Sequence, residues 1–572
     1  MANEWHVEGN NPRAKFTLRI HRGESMVLLA MDWKEPQPPN DFVGFAIEYK
    51  EPQGDRYFAL NNRLGFRTAQ GAVDGRTLST KESPLQKFRW VHFPRNAELG
   101  GAFTYRVSPV FMADDDRLSY GDYQEASLEL GRVTIEGELN VAFTRGFVSS
   151  QAFVERYAKT AAEMATLLPR KADEGLHFQP QHANAQKALE WMGFEAREAL
   201  LSLLDEALHD ASATVRVVAY DLNEPEVVNR LVALGPRLRI IIDNSPDHSK
   251  AGSAENESEL RLVASAGRDQ VQRQHMQGLQ HNKTIVVDGS KSQSVACGST
   301  NFSWRAFYVQ ANNAVVLRGK KAVAVFGAAF EEYWKNSVSG FEQSVSASQW
   351  HDLGLPSVDA QVTFSPHNSG HGFLNEIAND IRDHTTSNLF FSLAFLYQTK
   401  GAMKNAILKL TADNDIFMYG MSDQEVGGLD VLEPSGNVIV VRPEELGKGV
   451  PEPFKSEPTG GKGIRMHHKF IVMDFGTPNA RVYTGSYNFS IPADGANGEN
   501  LLVFRHPRVV TAYVVEALRL FDHYQFRISS ARAKGAGKDL ALRRPPRKEG
   551  EEPWWADYYN DPRKIKDRKL FA

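Results

Sequence analysis

A chain of 572 residues is too long for one ordinary domain, so two to four are expected. Hydrophobic residues at 42% and charged residues at 24% are the proportions of a soluble globular protein, and no apolar run approaches the roughly 20 residues of a membrane span. A net charge of −4 and a pI near 6.5 argue against a broadly basic nucleic-acid binder, while leaving local basic patches open.

The opening segment, MANEWHVEGNNPRAKFTLRI, has neither the basic nor the apolar region of a signal peptide. One cysteine, Cys297, has no partner for an internal disulfide and fits a reducing compartment. A cytoplasmic protein is expected on both counts, with export lacking a signal peptide as the exception.

Residues 1–133 read as β. Ser25–Trp33, Phe42–Tyr49 and Ala102–Met112 are rich in β-branched and aromatic residues. In the last of these Phe103, Tyr105 and Val107 alternate with polar or small residues, the pattern of a half-buried strand. Clusters of Gly, Pro, Asn and Asp separate the runs. The prediction is a β-sandwich of immunoglobulin or fibronectin type III style, serving as a spacer or interaction module.

After Gly131 the pattern changes to alternating strands and helices, twice over. Thr214–Asn244 and Asn388–Met421 each read strand, helix, strand. Amphipathic helices are predicted before them at Ala196–Leu208 and Phe373–Asp383, and closing helices at Ala322–Trp334 and Val509–Tyr524. A repeat of about 190 residues is too long for a solenoid unit and fits duplicated α/β domains packed together, 134–345 and 346–530. Residues 531–572 form a tail mixing Lys and Arg with Trp554, Trp555, Tyr558 and Tyr559. Those aromatics would strap the tail over a domain. The functional alternative is a contact surface for a polyanion, either nucleic acid or anionic lipid.

The two repeats share a short motif. His281–Asp288 reads HNKTIVVD and His467–Asp474 reads HHKFIVMD: His, any residue, Lys, four residues, Asp. Each is followed by a second signature, GSTNF at Gly298–Phe302 and GSYNF at Gly485–Phe489. Twelve residues beyond Asn301 stands Asn313, and twelve beyond Asn488 stands Asn500. A lone copy is weak, but agreement at all these levels is not coincidence. On a strand, His281 and Lys283 project from one face, as do His467 and Lys469, while His468 points to the other and is read as a structural neighbour. Asp288 and Asp474 fall on that opposite face as well. Cys297, in a predicted strand, is a buried small residue rather than a reactive thiol.

H-x-K-x4-D with a trailing G-S-x-N, present twice, resembles the phospholipase D superfamily over residues of about 140 to 530. The resemblance is specific for the superfamily and poor for the substrate, because similar members include phospholipases, phospholipid synthases, nucleases and tyrosyl-DNA phosphodiesterases. It implies two α/β modules around a pseudo-two-fold axis with one active site between them, and a structural role for Asp288 and Asp474. Two His, two Lys and two Asn would then surround one phosphate. One neutral imidazole attacks phosphorus to form a phosphohistidine, and the other, protonated, donates to the leaving oxygen and afterwards activates water or an alcohol. A pKa near 6.5 suits histidine to both roles. Lys283, Lys469, Asn301 and Asn488 would hold the non-bridging oxygens, with added hydrogen bonds from Ser299 and Ser486. A lysine about 4 Å from the phosphate charge contributes about 4 kcal/mol at an effective dielectric near 20, before desolvation. The chemistry requires no metal and no cofactor, and the sequence offers no separate cluster of metal ligands.

The repeats differ in one place. Eleven residues after Asn488 stands Glu499, where family members often carry an acid that bonds the catalytic imidazole; eleven after Asn301 stands Asn312. The expectation is a carboxylate beside His467, favouring its protonated form, and an amide beside His281. On that basis His281 is the nucleophile and His467 the general acid, and Asn312 departs from the family pattern.

A metal-independent phosphodiesterase of the phospholipase D type is therefore expected. The favoured substrate is a phospholipid, cleaved to phosphatidic acid and a head group or exchanged with an alcohol. Both motifs in one chain, the near-neutral charge, and Phe302, Trp304, Phe307 and Tyr308 flanking the site speak for lipid, a monomer and peripheral membrane contact. The missing signal peptide and membrane-binding helix speak against it. The alternative is a nuclease, whose basic, aromatic tail would stack bases and neutralise phosphates, although the acidic balance counts against broad duplex binding; a cardiolipin-synthase-like role ranks below both, because membrane anchors are missing. A third class, a binding protein with a dead site, is disfavoured because both motifs are complete. Loops Asp243–Glu259 and Arg442–Gly463, each preceding a motif, are long enough to roof the cleft.

Overall fold

The computed structural model describes residues 5–67, 77–368, 372–394, 401–422, 438–441, 466–535 and 539–572. The chain divides into a continuous unit, Val133–Val510, and a discontinuous one that joins Met1–Arg132 to Thr511–Ala572.

In the discontinuous unit, strands Phe16–Gly23, Met26–Trp33 and Arg89–His92 pair antiparallel in one sheet, with His6–Glu8 at its edge. Phe42–Lys50 and Ala102–Met112 form the centre of a second sheet, joined by Gln124–Glu129, Leu118–Tyr120 and Phe58–Ala59. Alternation makes the core: Phe103, Tyr105 and Val107 are buried, and Thr104, Arg106 and Ser108 between them are only partly so. Phe16, Ile20, Leu29 and Met31 from the first sheet share one cluster with Phe45, Ile47, Phe103 and Tyr105 from the second.

The C-terminal segment belongs to that same core, so the residues from 511 onward fold with the N-terminal strands instead of forming a separate tail from 531. Trp554 and Trp555 are buried in the cluster, their indole N–H groups donating to the Phe42 carbonyl at 2.9 Å and the Pro39 carbonyl at 3.2 Å. The strapping role predicted for the aromatics describes these contacts. Much of the tail's positive charge is also spent internally, Arg544 and Arg547 reaching Asp116, Arg568 reaching Asp32 and Lys564 reaching Asp557.

The continuous unit contains two mixed sheets. Across the first lie Leu139–Phe143, Asn313–Arg318, Gln293–Gly298, Lys283–Asp288, Thr214–Ala219, Leu238–Asp243 and Val271–Gln274. Across the second lie Asp359–Ser365, Glu499–Arg505, Arg481–Gly485, Lys469–Met473, Asn388–Leu393, Phe417–Met421 and Val438–Val441, with the short strand His351–Asp352 added at one edge. Order and pairing sense repeat strand for strand: the last three of each series run parallel and every other neighbour antiparallel. Each lysine of the motif therefore opens a central strand, buried by flanking strands on both sides.

Helices form where the apolar period predicts them at Phe373–His384 and Lys320–Trp334, while the closing helix Pro507–Gly535 runs eleven residues past the predicted Tyr524. Ala185–His209 starts eleven residues before the predicted Ala196, because Phe194 takes a φ of 51° and kinks the helix, so the period loses phase there. The loop expected at Asp243–Glu259 carries structure of its own, a short helix at Pro246–Ser249 and the start of Ala254–Ala266. The Ser253 hydroxyl caps the second helix by accepting from the Asn256 N–H at 3.4 Å, so the segment is not an open roof. The second predicted loop, 442–463, lies outside the described residues. Among the described residues no helix is long and apolar enough to cross a membrane.

Candidate active site

His281 and His467 come together through two strand-like bridges between the sheets, Gln280 with Gly498 and Ala311 with Met466. Gly498 N donates to the Leu279 carbonyl at 2.8 Å and His467 N to the Ala311 carbonyl at 3.0 Å. Each bridge ends one residue before a histidine on one side and one residue before position 499 or 312 on the other. Glu499 is thereby set against His281, with His281 Nδ1 at 2.9 and 2.8 Å from its two carboxylate oxygens. Asn312 is set against His467, whose Nδ1 lies 2.8 Å from the Asn312 Oδ1 and 3.1 Å from the Ser299 carbonyl. This corrects the sequence expectation, which placed the carboxylate beside His467. Counting along one repeat finds the acid, but the bridge hands it to the histidine of the other repeat.

The two imidazoles stand 6.4 Å apart, centre to centre, at 72°. His281 and His467 are 4% exposed and Lys283 and Lys469 1%, so four groups that can carry positive charge share one desolvated space. Lys283 Nζ donates to the His281 carbonyl and lies 4.8 Å above the Tyr220 ring; Lys469 Nζ donates to the His467 carbonyl at 2.8 Å. Burial moves every one of them toward the neutral form. His281 is lowered by burial, with Glu499 opposing and Lys283 and Lys469 adding to the fall. His467 is lowered further by burial, Lys469, Lys283 and His281, and no carboxylate compensates it. Lys283 is brought down to about 7 by burial against the pull of Glu499, Asp221 and Asp243, and Lys469 falls well below its usual range for want of solvent and beside Lys283. An anion placed among them would offset the mutual repulsion of the four groups.

Asn301 is buried, and its Nδ2 donates to Asp221 Oδ2 at 2.7 Å, leaving a second N–H on the same nitrogen. The side-chain oxygens of Asn301 and Asn488, acceptors at matching places in the two GSxN signatures, are both buried without a protein partner. The serines of those signatures have partners. Ser299 Oγ bonds Asn312 Oδ1 and Asn313 Oδ1 at 3.0 Å each and accepts from Asn313 N at 2.9 Å. Ser486 Oγ accepts from Asn500 N at 3.0 Å and Asn500 Nδ2 at 3.3 Å. Both are fully buried and brace the asparagines one strand over. The glycines before them are there for close approach: a Cβ on Gly298 (φ 125°) would lie 2.6 Å from the Asn313 carbonyl, and one on Gly485 (φ 142°) 2.3 Å from the Asn500 carbonyl.

Asp474 accepts from the backbone N–H of Thr386 at 2.9 Å and of Ser387 at 2.8 Å, pinning the start of the neighbouring strand. Asp288 is half-exposed and lies 3.7 Å from Arg216, away from the histidines. His468 is buried between the Phe143 and Phe470 rings. Cys297 is buried and its thiol pushed up by that burial. Phe302, Trp304, Phe307 and Tyr308 are buried as well, and Trp304 and Tyr308 wall a cavity of about 320 Å³ with Leu167, Leu168, Phe178 and Glu224. Sequence reasoning passed over Tyr220, Asp221, Asp243 and His248, which surround the first motif; no local pattern marks them.

Residues 204–334 match the family model described as cardiolipin synthase, PLD-like domain. Together with the paired motifs this match identifies a phospholipase D-like α/β domain at residues 204–334 and supports the phospholipase D superfamily for the chain. Among solved structures, Nuc from Salmonella typhimurium, a phospholipase D family member, is 26% identical over 25% of this chain and 88% of its own, with a TM-score of 0.21. Phosphatidylserine synthase from Haemophilus influenzae is 12% identical over 66% of this chain and 93% of its own, with a TM-score of 0.40. Yeast tyrosyl-DNA phosphodiesterase is 11% identical over 52% and 84%, with a TM-score of 0.29. A search of curated proteins finds no match.

Proposed function

We propose that the continuous unit is a pair of phospholipase D-type modules forming one phosphodiesterase site, with the discontinuous unit a β-sandwich accessory domain. The observation that carries it is the reciprocal pairing of His281 with Glu499 and His467 with Asn312 across the two sheets, between Lys283 and Lys469. His281 is the nucleophile. Its Nδ1–H is donated to Glu499, which leaves the Nε2 lone pair for phosphorus and a carboxylate to stabilise the cationic phosphoimidazole that forms. His467 is the general acid: the bound phosphodiester anion restores its proton, which passes from Nε2 to the leaving alkoxide. The emptied imidazole then takes a proton from water or an alcohol, whose oxygen displaces His281 from phosphorus. Lys283, Lys469, Asn301 and Asn488 stabilise the charge on the non-bridging oxygens. The role order is the one expected from sequence, but its basis is now the carboxylate on His281 and the bare amide on His467.

The favoured substrate is a phospholipid. Its support is the lipid-synthase family described by the matching model and the largely apolar cavity beside the helix Trp304–Tyr308, which follows directly on Asn301. Because one chain supplies both histidines, the site is complete in a monomer. The test is an assay, with chelator present, on mixed phospholipid vesicles and on fluorescent single-stranded DNA, with His467→Ala as control. Head-group release that the variant loses, with DNA intact, supports the proposal. DNA cleavage lost in the variant makes the protein a nuclease and overturns the substrate. Absence of any phosphohistidine with either substrate sinks the mechanism.

A further inference from the structure

Two carboxylates next to the first motif share one imidazole. His248, on the short helix Pro246–Ser249, is 7% exposed. Its Nδ1 lies 2.7 Å from Asp243 Oδ2 and its Nε2 3.1 Å from Asp221 Oδ1. A ring whose two nitrogens both face carboxylate oxygens donates from both, and so is an imidazolium. Its backbone is held too: the His248 carbonyl accepts from Ser253 Oγ at 2.6 Å and Arg273 Nη2 at 2.7 Å.

The other oxygen of each carboxylate runs into the site. Asp243 Oδ1 accepts the Gln280 N–H at 2.7 Å, the residue before His281 and the one that bridges to Gly498. Asp221 Oδ2 accepts from Asn301 Nδ2 at 2.7 Å and from Ser303 Oγ at 3.4 Å, fixing the amide that would hold a phosphate oxygen. Tyr220, between these groups, stands edge-on to both imidazoles, its ring centre 4.5 Å from that of His248 and 4.7 Å from that of His281.

We propose that His248 is a positioning residue for the phosphodiesterase reaction: a fixed cation that clamps Asp243 and Asp221, and through them sets the backbone at His281 and the amide of Asn301. The inference rests on the reading of the site given above. His248 touches no substrate and moves no proton. Against the burial that opposes its charge, the bonds to Asp221 and Asp243 push the imidazole up to about 10, so it stays charged throughout the working range of the two reacting histidines. Without it, Asp221, Asp243 and the nearby Glu255 would lose the cation that lies between them, leaving Lys283, Arg305 and Arg273 to offset their repulsion, and Gln280 and Asn301 would follow them out of place. The competing account is a cation site, because ligand atoms of Asp221, His248 and Glu255 lie within 4.8 Å of one another. The geometry favours the clamp, since both ring nitrogens are already occupied by carboxylates.

The test combines kinetics with a measurement on the unaltered protein. His248→Gln is expected to lower kcat and the rate of phosphohistidine formation about 10–100-fold, with KM within about twofold. His248→Lys, which returns a cation to the gap, is expected to recover most of that loss. Selective ¹⁵N-histidine NMR of the wild type, assigned with the Gln variant, should show both His248 nitrogens protonated through pH 8. A neutral, singly protonated ring overturns the inference, as does a His248→Gln enzyme with wild-type kcat. Loss of a ring proton on adding Mg²⁺, Mn²⁺ or Zn²⁺ also overturns it, assigning the cluster to a metal. Failure of the parent reading looks different: the wild type itself would form no phosphohistidine.

Discussion

Replacing Asn312 by Asp would give His467 the carboxylate that only His281 now has. The substituted oxygen would lie where Asn312 Oδ1 sits, 2.8 Å from His467 Nδ1. With the charge centres about 4 Å apart and an effective dielectric near 20, the imidazolium gains about 4 kcal/mol, or about three pKa units. Part is lost again, because the bond from Asn312 Nδ2 to the Ala306 carbonyl, 3.1 Å long, becomes a contact between two oxygens that costs about 1–3 kcal/mol of stability. The sign is fixed by the role of His467. A general acid must be protonated, so raising its pKa extends activity to higher pH and moves the alkaline limb of kcat/KM upward by about two units. The assay is a pH–rate profile from 5 to 10 beside thermal melts that track the stability cost. An unmoved alkaline limb, or an acidic limb that moves in its place, would refute the assignment, the second outcome making His467 the base that attacks.

Glu499→Gln should slow phosphohistidine formation about 10²–10⁴-fold in rapid-quench measurements, because the carboxylate that stabilises the His281 cation is gone; a rate within threefold of wild type would show that His281 needs no such partner. Gly485→Ala should lower the melting free energy by about 1–3 kcal/mol, since its Cβ would meet the Asn500 carbonyl at 2.3 Å at a φ of 142°. Acid should weaken the discontinuous unit through His21, which burial lowers to about 4. Its folded pKa lies below the unfolded 6.5, so stability is complete above about 6.5 and falls by about 1.4 kcal/mol per unit until about 4, roughly 3 kcal/mol in all. Urea unfolding followed by tryptophan fluorescence should show this slope and show it reduced in His21→Gln; equal slopes would remove His21 as the cause.

The parts of the fold legible in the sequence were those governed by near neighbours. Alternation gave Phe103, Tyr105 and Val107 as the buried face of the first part of Ala102–Met112, and the two-residue spacing of His281 and Lys283 gave their common direction. Pairing between distant segments was not legible. Glu499 could be found by counting, but which histidine receives it depends on the bridges at Gln280 and Ala311, formed by residues 218 and 155 positions apart. The same limit hid Asp221, Asp243 and His248, which converge on the motif from separate elements, and the bonds of Ser299 and Ser486 to asparagines one strand away. At the C-terminus the strap read from Trp554 and Trp555 goes further than composition could show, because both are part of the hydrophobic core itself.

That core has a consequence for the order of events during synthesis. Trp554 meets Phe42 across 512 positions, so the discontinuous unit stays incomplete while the ribosome makes everything between them. The continuous unit can finish first. When it does, its two ends lie side by side, Arg508 Nη2 donating to the Val133 carbonyl at 3.2 Å. A closure that would cost about 5 kcal/mol of chain entropy over a random loop of that length is thereby shortened before the last residues emerge. The inserted unit thus brings back together the two stretches of chain that make up the discontinuous one.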